Sequence, residues 1–381
     1  VIGLALLGAT GSIGSSTLRV VREHPERLRV VSIASRGSDL PALIAVARET
    51  RAEVVAVADA GVASALRSAL PDVDVVAGEA GVVAAATWPG VDRVVAAIVG
   101  AAGLPPVWAA LERGLDVALA NKEALVVGGP LVTTLAARHG AQLLPVDSEH
   151  AAIHQLLRGV DATQIERLVL TASGGPFRRL PREQWSSITV AAALRHPTWT
   201  MGAKISVDSA TLMNKALELI EARYLFDLPA SKLDAIIHPQ SIIHSLVELV
   251  DGSIVAQLAP NDMVFPVQYA LGWPERWFAP FGRLDLTTLG SLEMEAVDHA
   301  RFPAIGLARA ALEAGPSAPA VLNGANEAAV EAFLGERISF PRITETVEAV
   351  LALHDASTPS TLAEALAWNR WGYATAQRLL G

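Results

Sequence analysis

Up to residue 149, short apolar runs alternate with stretches of helical periodicity, the pattern of a doubly wound parallel sheet. The runs at 1–7, 28–34, 53–58, 74–77, 92–99, 116–120 and 141–146 are mostly β-branched and apolar on both alternating faces. Strands covered by helices on each side have no polar face, so these runs predict a Rossmann-like α/β domain over 1–149. Parallel strands all end at one sheet edge, and ligands bind there.

The pattern changes from residue 150. A strand is predicted at 167–171, followed by the loop Ala172-Ser173-Gly174-Gly175-Pro176. One helix is predicted over 209–226, starting at Ser209 or Asp208, with Pro229 just past its end. The apolar runs 242–250 and 253–259 flank Asp251-Gly252, a strong hairpin signal. These elements predict an α+β central domain over 150–272. An ordered connector rich in proline and aromatic residues follows over 273–300. Beyond it, helical periodicity at 303–314, 319–334, 341–354 and 360–380 predicts a C-terminal helical bundle over 301–381.

Composition narrows the chemistry. The 381 residues include no cysteine, which excludes disulfides, thiol nucleophiles and thiolate-held metals. With 51% hydrophobic and 18% charged residues, the chain can bury large cores. A net charge of −9 argues against nucleic-acid binding. The mean hydropathy of +0.38 raises the question of a membrane span. However, Gly100, Gly103, Pro105 and Pro106 break the longest uncharged stretch into a strand, a turn and a helix start. No basic leader stands ahead of the first apolar run, unless one has been removed, so a bacterial cytoplasmic protein or the mature form of a plastid one, without membrane partners, is expected.

Candidate chemistry gathers at the predicted strand ends. Gly8-Ala9-Thr10-Gly11-Ser12-Ile13-Gly14 lies between the first strand and its helix, where backbone N–H groups can cradle a pyrophosphate. At the end of the second strand, NAD enzymes place a carboxylate for the ribose hydroxyls. This chain instead has Ser35-Arg36-Gly37-Ser38, which suits a 2′-phosphate and favours NADP, unless Arg36 is an ordinary solvated charge. Asn121-Lys122-Glu123 follows the sixth strand; Lys122 is one of only four lysines and can donate to a substrate oxygen or pair with Glu123. After the seventh strand, Asp147 and Glu149 converge on one ion if the segment is extended. Their hard oxygens select Mg²⁺ or Mn²⁺, although a solvated turn would look the same.

Asn214, Lys215 and Glu218 share one helix face, which can supply a third carboxylate or be a plain surface ion pair. Ser209 is expected near that helix's anion-favouring N-terminus. The segment 196–202, His-Pro-Thr-Trp-Thr-Met-Gly, has an aromatic tip and a glycine hinge, as a closing loop would; a buried tryptophan is the competing reading. His238 and His244 sit on apolar runs and are expected to be structural.

Together these motifs resemble the 1-deoxy-D-xylulose 5-phosphate reductoisomerase family. The resemblance covers nearly the whole chain. It rests on residues 8–14, 120–123, 145–150, 171–177, 196–202, 208–221 and 238–245, and more loosely on Asn323-Gly324-Ala325-Asn326-Glu327. It implies NADPH contacts by Thr10, Gly11, Ser12, Ile13, Arg36, Gly37, Ser38, Asn121, Glu123 and Gly202. It also implies a divalent ion, Mg²⁺ or Mn²⁺, on Asp147, Glu149 and Glu218. Lys122 and Ser148 match contacts to the carbon backbone of a small phosphorylated sugar. Ser173, His196, Ser209, Asn214 and Lys215 match the grip on its phosphate, and Trp199 the flap over it. Arg36 and Ala216 each stand where the family often has glycine. A homodimer through the central domain is implied as well.

The activity so implied is rearrangement of 1-deoxy-D-xylulose 5-phosphate by retro-aldol cleavage and aldol recombination, then reduction by NADPH to 2-C-methyl-D-erythritol 4-phosphate. Another NADPH-dependent dehydrogenase would share the first domain without needing three carboxylates beside phosphate donors. A non-catalytic NADPH sensor would have no use for Lys122 or Glu218.

Overall fold

The structure is a computed structural model and describes residues 1–199 and 201–381. Contacts divide the chain into two compact units. The first comprises Val1–Ala124, Val132–Asp147 and Asp262–Gly282; the second comprises Leu125–Leu131, Ser148–Asn261 and Arg283–Gly381.

The first unit is built on strands β1 (Ile2–Leu7), β2 (Leu28–Ser35), β3 (Val54–Val57), β4 (Asp74–Ala77), β5 (Arg93–Ala96), β6 (Asp116–Leu119) and β7 (Leu143–Pro145). All pair in parallel, in the order β4-β3-β2-β1-β5-β6-β7. The chain runs outward from β1 to β4, then returns to β5 on the other side of β1. That reversal creates the crevice where such sheets hold ligands. All seven predicted strands are present. Leu4, Leu6, Ile33, Val55 and Val95 are fully buried, as expected of a sheet covered on both faces.

Segment Asp262–Gly282 also belongs to this unit, so the expected central-domain and connector boundaries differ from the observed division. Its helix Val264–Gly272 buries Val264, Val267, Ala270 and Leu271 in the same core as Leu18 and Leu144. Arg93 caps that helix by donating to the carbonyls of Ala270 (3.1 Å) and Leu271 (2.7 Å). Periodicity predicts that such an element exists, but not which sheet its apolar face will cover.

The second unit holds β8 (Ile165–Ala172), β9 (Leu233–Ile237), β10 (Ile243–Leu249), β11 (Ile254–Leu258) and β12 (Glu295–Ala296), in the order β11-β10-β8-β9-β12. β8 and β9 are parallel and the other pairs antiparallel. The Asp251-Gly252 hairpin forms as predicted, with Asp251 accepting from the Ser253 amide at 2.9 Å. The four predicted C-terminal helices are Ala304–Ala314, Ala318–Leu334, Arg342–Ala352 and Leu362–Leu380.

Two local expectations fail. The single helix over 209–226 is in fact two, Ala203–Ala210 and Met213–Leu225, broken at Leu212 with φ +59°. A left-handed leucine costs roughly 1–2 kcal/mol. Its burial at 3% exposure offsets that cost, so neither Gly nor Pro marks the break. Ser209 therefore lies in the last turn of the first helix, not at the N-terminus of the second. The segment after β7 is also not extended: helix Ser148–Leu156 begins directly after Asp147 and takes Glu149 into its first turn. No described helix is long and apolar enough to cross a membrane.

Candidate active site

In the first unit, the glycine loop joins β1 to helix Ser12–Glu23, whose N-cap is Gly11 and whose first turn carries no acid. Gly8 has φ +93°, and a Cβ on Gly14 would lie 2.4 Å from the Ala9 carbonyl oxygen. The loop therefore turns tightly and lets the helix approach the strand. Thr10, Gly11 and Ser12 are exposed and Ile13 is half-buried, leaving the helix N-terminus open to an anion. Thr10 and Ser35 share a hydrogen bond of 2.9 Å, tying this loop to the end of β2. Beyond Ser35, Arg36 and Ser38 are exposed, and Gly37 turns the chain at φ +100°. The next acid, Asp39, caps helix Leu40–Thr50 by accepting from the Ala42 amide at 3.0 Å.

At the ends of β6 and β7, Lys122 pairs with Asp147 at 2.5 Å; Lys122 is buried and Asp147 half-buried. Asn121 uses its amide nitrogen on the carbonyls of Ile98 (2.6 Å) and Gly100 (3.0 Å) and on the Glu123 carboxylate (2.9 Å). Asn121 thus braces the loop after β5, and Glu123 holds the bracing amide, an arrangement that the strand-end motif does not reveal.

In the second unit, Lys215 joins two carboxylates. Its ammonium donates to Glu149 at 2.7 Å and also to Glu218. Asn214 donates to the other oxygen of Glu218 at 2.5 Å, and Ser148 donates to Glu149. Glu218 is 1% exposed and Lys215 3%. Burial works against the lysine's charge, yet Glu149 and Glu218 together outweigh it and raise its pKa above the ordinary value. Two carboxylates to one ammonium leave an excess negative charge in a nearly dry place, and that suits a cation.

His150, which the sequence leaves without a role, supports this cluster. Its Nε2 bonds the Glu218 carbonyl oxygen at 2.9 Å, its Nδ1 lies 3.5 Å from Glu221, and its ring stacks on Phe226. The spacing of Glu218 and Glu221, one turn apart on the helix, is the signal that could have pointed to it.

His196 Nδ1 accepts from the amides of Thr198 (3.2 Å) and Trp199 (2.9 Å), so its proton sits on Nε2 and is donated to Ser173 Oγ at 2.9 Å. The Gly175 amide also donates to that oxygen, at 3.2 Å, which leaves the Ser173 hydroxyl proton available to a ligand. Burial lowers the His196 pKa to about 4, keeping the ring neutral. Trp199 and Ser209 are half-buried, and Gly202 is the exposed N-cap of helix Ala203–Ala210; Thr200 of the predicted flap lies outside the described residues. His238 and His244 are structural, as expected. His238 bonds the Glu293 carbonyl oxygen (2.8 Å) and accepts from the Ile242 amide (3.2 Å), while burial lowers His244 to about 4.

A glycine-loop Rossmann sheet with a basic end to β2, together with a unit carrying a buried carboxylate–lysine cluster, defines the class: a nucleotide-dependent oxidoreductase. Sequence profiles of 1-deoxy-D-xylulose 5-phosphate reductoisomerase match residues 4–129; those of its C-terminal domains match 143–226 and 258–375. The enzyme of that name from Chlorobaculum tepidum is 51% identical over 380 residues, covering 99% of both chains. A crystal structure of DOX-P reductoisomerase with NADPH, fosmidomycin and magnesium superposes with a TM-score of 0.95 at 41% identity, covering 100% of this chain and 98% of that one. The Zymomonas mobilis enzyme in complex with NADPH gives 0.91 at 41% identity, covering 100% and 99%. The chain belongs to the 1-deoxy-D-xylulose 5-phosphate reductoisomerase family.

Proposed function

We infer that the chain converts 1-deoxy-D-xylulose 5-phosphate to 2-C-methyl-D-erythritol 4-phosphate with NADPH and Mg²⁺ or Mn²⁺. The observation that carries this is the Lys215 bridge between Glu149 and Glu218, a buried oxygen cluster with charge to spare for a divalent ion. Asp147, one peptide bond before Ser148, is the proposed third ligand. When bound, the ion supplies Lewis acidity to the substrate oxygens and NADPH supplies hydride.

The chain's own residues orient and enclose. Thr10, Gly11, Ser12 and Ile13 present backbone donors to the NADPH pyrophosphate, and Arg36, Gly37 and Ser38 meet its 2′-phosphate. Asn121 and Glu123 shape the loop beneath the cofactor, and Gly202 is a further contact. Lys122 and Ser148 donate to substrate hydroxyls. Ser173, His196, Ser209, Asn214 and Lys215 surround the substrate phosphate with donors, and Trp199 covers it and excludes water.

The same reading makes the enzyme a homodimer through the five-stranded sheet. Its edge strand β11 exposes Ile254 (60%) and Val255 (38%), an apolar edge of the kind that pairs with a second copy. It also places the enzyme in the cytoplasm, because the charged sugar phosphate and NADPH do not cross bilayers unaided. The test is NADPH oxidation with 1-deoxy-D-xylulose 5-phosphate. Turnover with Mg²⁺ or Mn²⁺ that a chelator abolishes supports this function, and metal-independent turnover contradicts it.

A further inference from the structure

The Asn323-Gly324-Ala325-Asn326-Glu327 stretch touches none of the chemistry assigned so far, yet Asn323 and Asn326 are fully buried. A buried amide is costly unless it is hydrogen-bonded, so both need partners. Their helix, Ala318–Leu334, packs backbone to backbone on Leu362–Leu380. A Cβ at Gly324 would lie 1.9 Å from the Asn369 carbonyl oxygen, and one at Gly372 would lie 2.4 Å from that of Val321. Asn323 adds a bond to the Asn369 side chain at 2.8 Å. The helix is therefore held in a fixed position and register.

One turn further on, Asn326 donates to Asp208 Oδ1 at 2.8 Å. The other oxygen of Asp208 accepts from Lys204 at 2.8 Å, and Asp208 is 1% exposed. Asp208 immediately precedes Ser209. The Ser209 carbonyl oxygen in turn presses on the Ser173–Gly175 loop: a Cβ at Gly175 would lie 2.7 Å from it. The end of helix Ala203–Ala210 is thus held from one side by Asn326 and abuts the Ser173 loop on the other.

We propose that Asn326 is a positioning residue for phosphate recognition, acting through Asp208 to fix Ser209 and the Ser173 loop from the C-terminal helices. This rests on the reading that Ser173 and Ser209 hold the substrate phosphate.

The experiment uses the full-length enzyme and four variants: Ser209→Ala, Asn326→Leu, Asn326→Ser, and the exchanged pair Asp208→Asn with Asn326→Asp, which swaps donor for acceptor. The readouts are KM for the sugar phosphate, the inhibition constant of inorganic phosphate, KM for NADPH, and kcat. Asn326→Leu should raise the first two about tenfold, as loss of a hydrogen bond to a buried charge does, with NADPH KM and kcat within about twofold. The exchanged pair should recover most of that loss. Asn326→Ser, whose shorter donor falls short of Asp208, should match the leucine variant and replaces it if the latter folds poorly. If Ser209→Ala raises KM while both Asn326 variants leave it unchanged, the inference is wrong. Equal losses in kcat, NADPH binding and phosphate binding would mean general loosening of the fold and would also overturn it. A Ser209→Ala enzyme with normal KM and normal phosphate inhibition would overturn the phosphate reading itself, and the inference with it.

Discussion

Lys215 and Glu149 form an ion pair of 2.7 Å across 66 positions of sequence, and the same ammonium also donates to Glu218. One cation thereby joins the first turn of Ser148–Leu156 to helix Met213–Leu225. Because its pKa is raised, the support this pair gives is fully present below the ordinary unfolded value near 10.4 and is lost only as pH rises past the folded pKa. On the proposed reading, Glu149 and Glu218 would hold the divalent ion in place of the ammonium, and Lys215 would then be free to meet the substrate phosphate.

That relationship sets the first prediction. Glu218→Gln should lower turnover by at least about 100-fold, because even partners behind a metal ligand cost 10–100-fold. NADPH affinity, measured by fluorescence titration, should change less than about twofold, since the ion acts on the substrate. Comparable kcat in variant and wild type at saturating Mg²⁺ would remove Glu218 from the ligand set.

Cofactor choice follows from β2. Asp39 is committed as a helix cap, so the exposed cation and hydroxyls of Arg36 and Ser38 dominate that end of the strand. NADPH should be strongly preferred to NADH, and Arg36→Ala should weaken NADPH by about tenfold or more, the worth of a charge-assisted hydrogen bond. The measurement is kcat/KM for both cofactors. Equal efficiencies would remove the 2′-phosphate from this loop.

His196 gives a pH prediction. Its folded pKa of about 4 lies below the unfolded value near 6.5, so the unfolded chain takes up the proton first as pH falls. Stability tied to the neutral ring is fully present above pH ~6.5 and is lost progressively toward pH 4. An NMR titration of the ligand-free protein should show a neutral, Nε2-protonated ring down to about pH 5. A midpoint near 6.5 would mean that the ring is solvated and free of Ser173.

The apolar edge of β11 predicts the assembly. Light scattering should give the mass of a dimer, and Val255→Lys should shift it toward monomer, because a charge on an edge strand discourages pairing. A wild-type mass that stays monomeric at all concentrations would rule out this interface.

What the sequence makes legible follows from range. Inner strands of the first sheet such as β3 appear because a strand buried on both faces has to be apolar along its whole length, and the Asp251-Gly252 turn appears because Gly252 readily takes its φ of +84°. The break at Leu212 is not legible, since burial of the leucine rather than a local turn signal sustains it. Nor is the docking of Val264–Gly272 on the first sheet, which depends on contacts such as Arg93 with Leu271, 178 positions away. In the site, residue types could be named from motifs, whereas the brace by Asn121 and the support of Glu218 by His150 need three dimensions.

The flap supplies the last prediction. Residues 196–199 fold back on themselves through His196 Nδ1, and the segment is tied to the Ser173 loop by one side-chain hydrogen bond. Arg195 and Pro197 are exposed and Trp199 is only half-buried, so little apolar area holds the segment in one conformation. Closure over a ligand must offset the entropy of ordering these residues, roughly 1–2 kcal/mol for each backbone fixed, and a phosphate bonded to Ser173 and His196 can supply that. Limited trypsin cleavage after Arg195 would be blocked by Pro197 only if proline followed directly; His196 follows instead, so the bond is a fair reporter. Cleavage should be fast in the free enzyme and strongly slowed by a phosphonate substrate analogue with NADPH and Mg²⁺. Trp199→Ala should raise KM for the sugar phosphate and lower kcat while metal affinity and thermal stability stay within error, because on the proposed reading the half-buried indole covers the substrate rather than a core. Equally slow cleavage with and without the analogue would show a segment already rigid, and closure would then have no part in turnover.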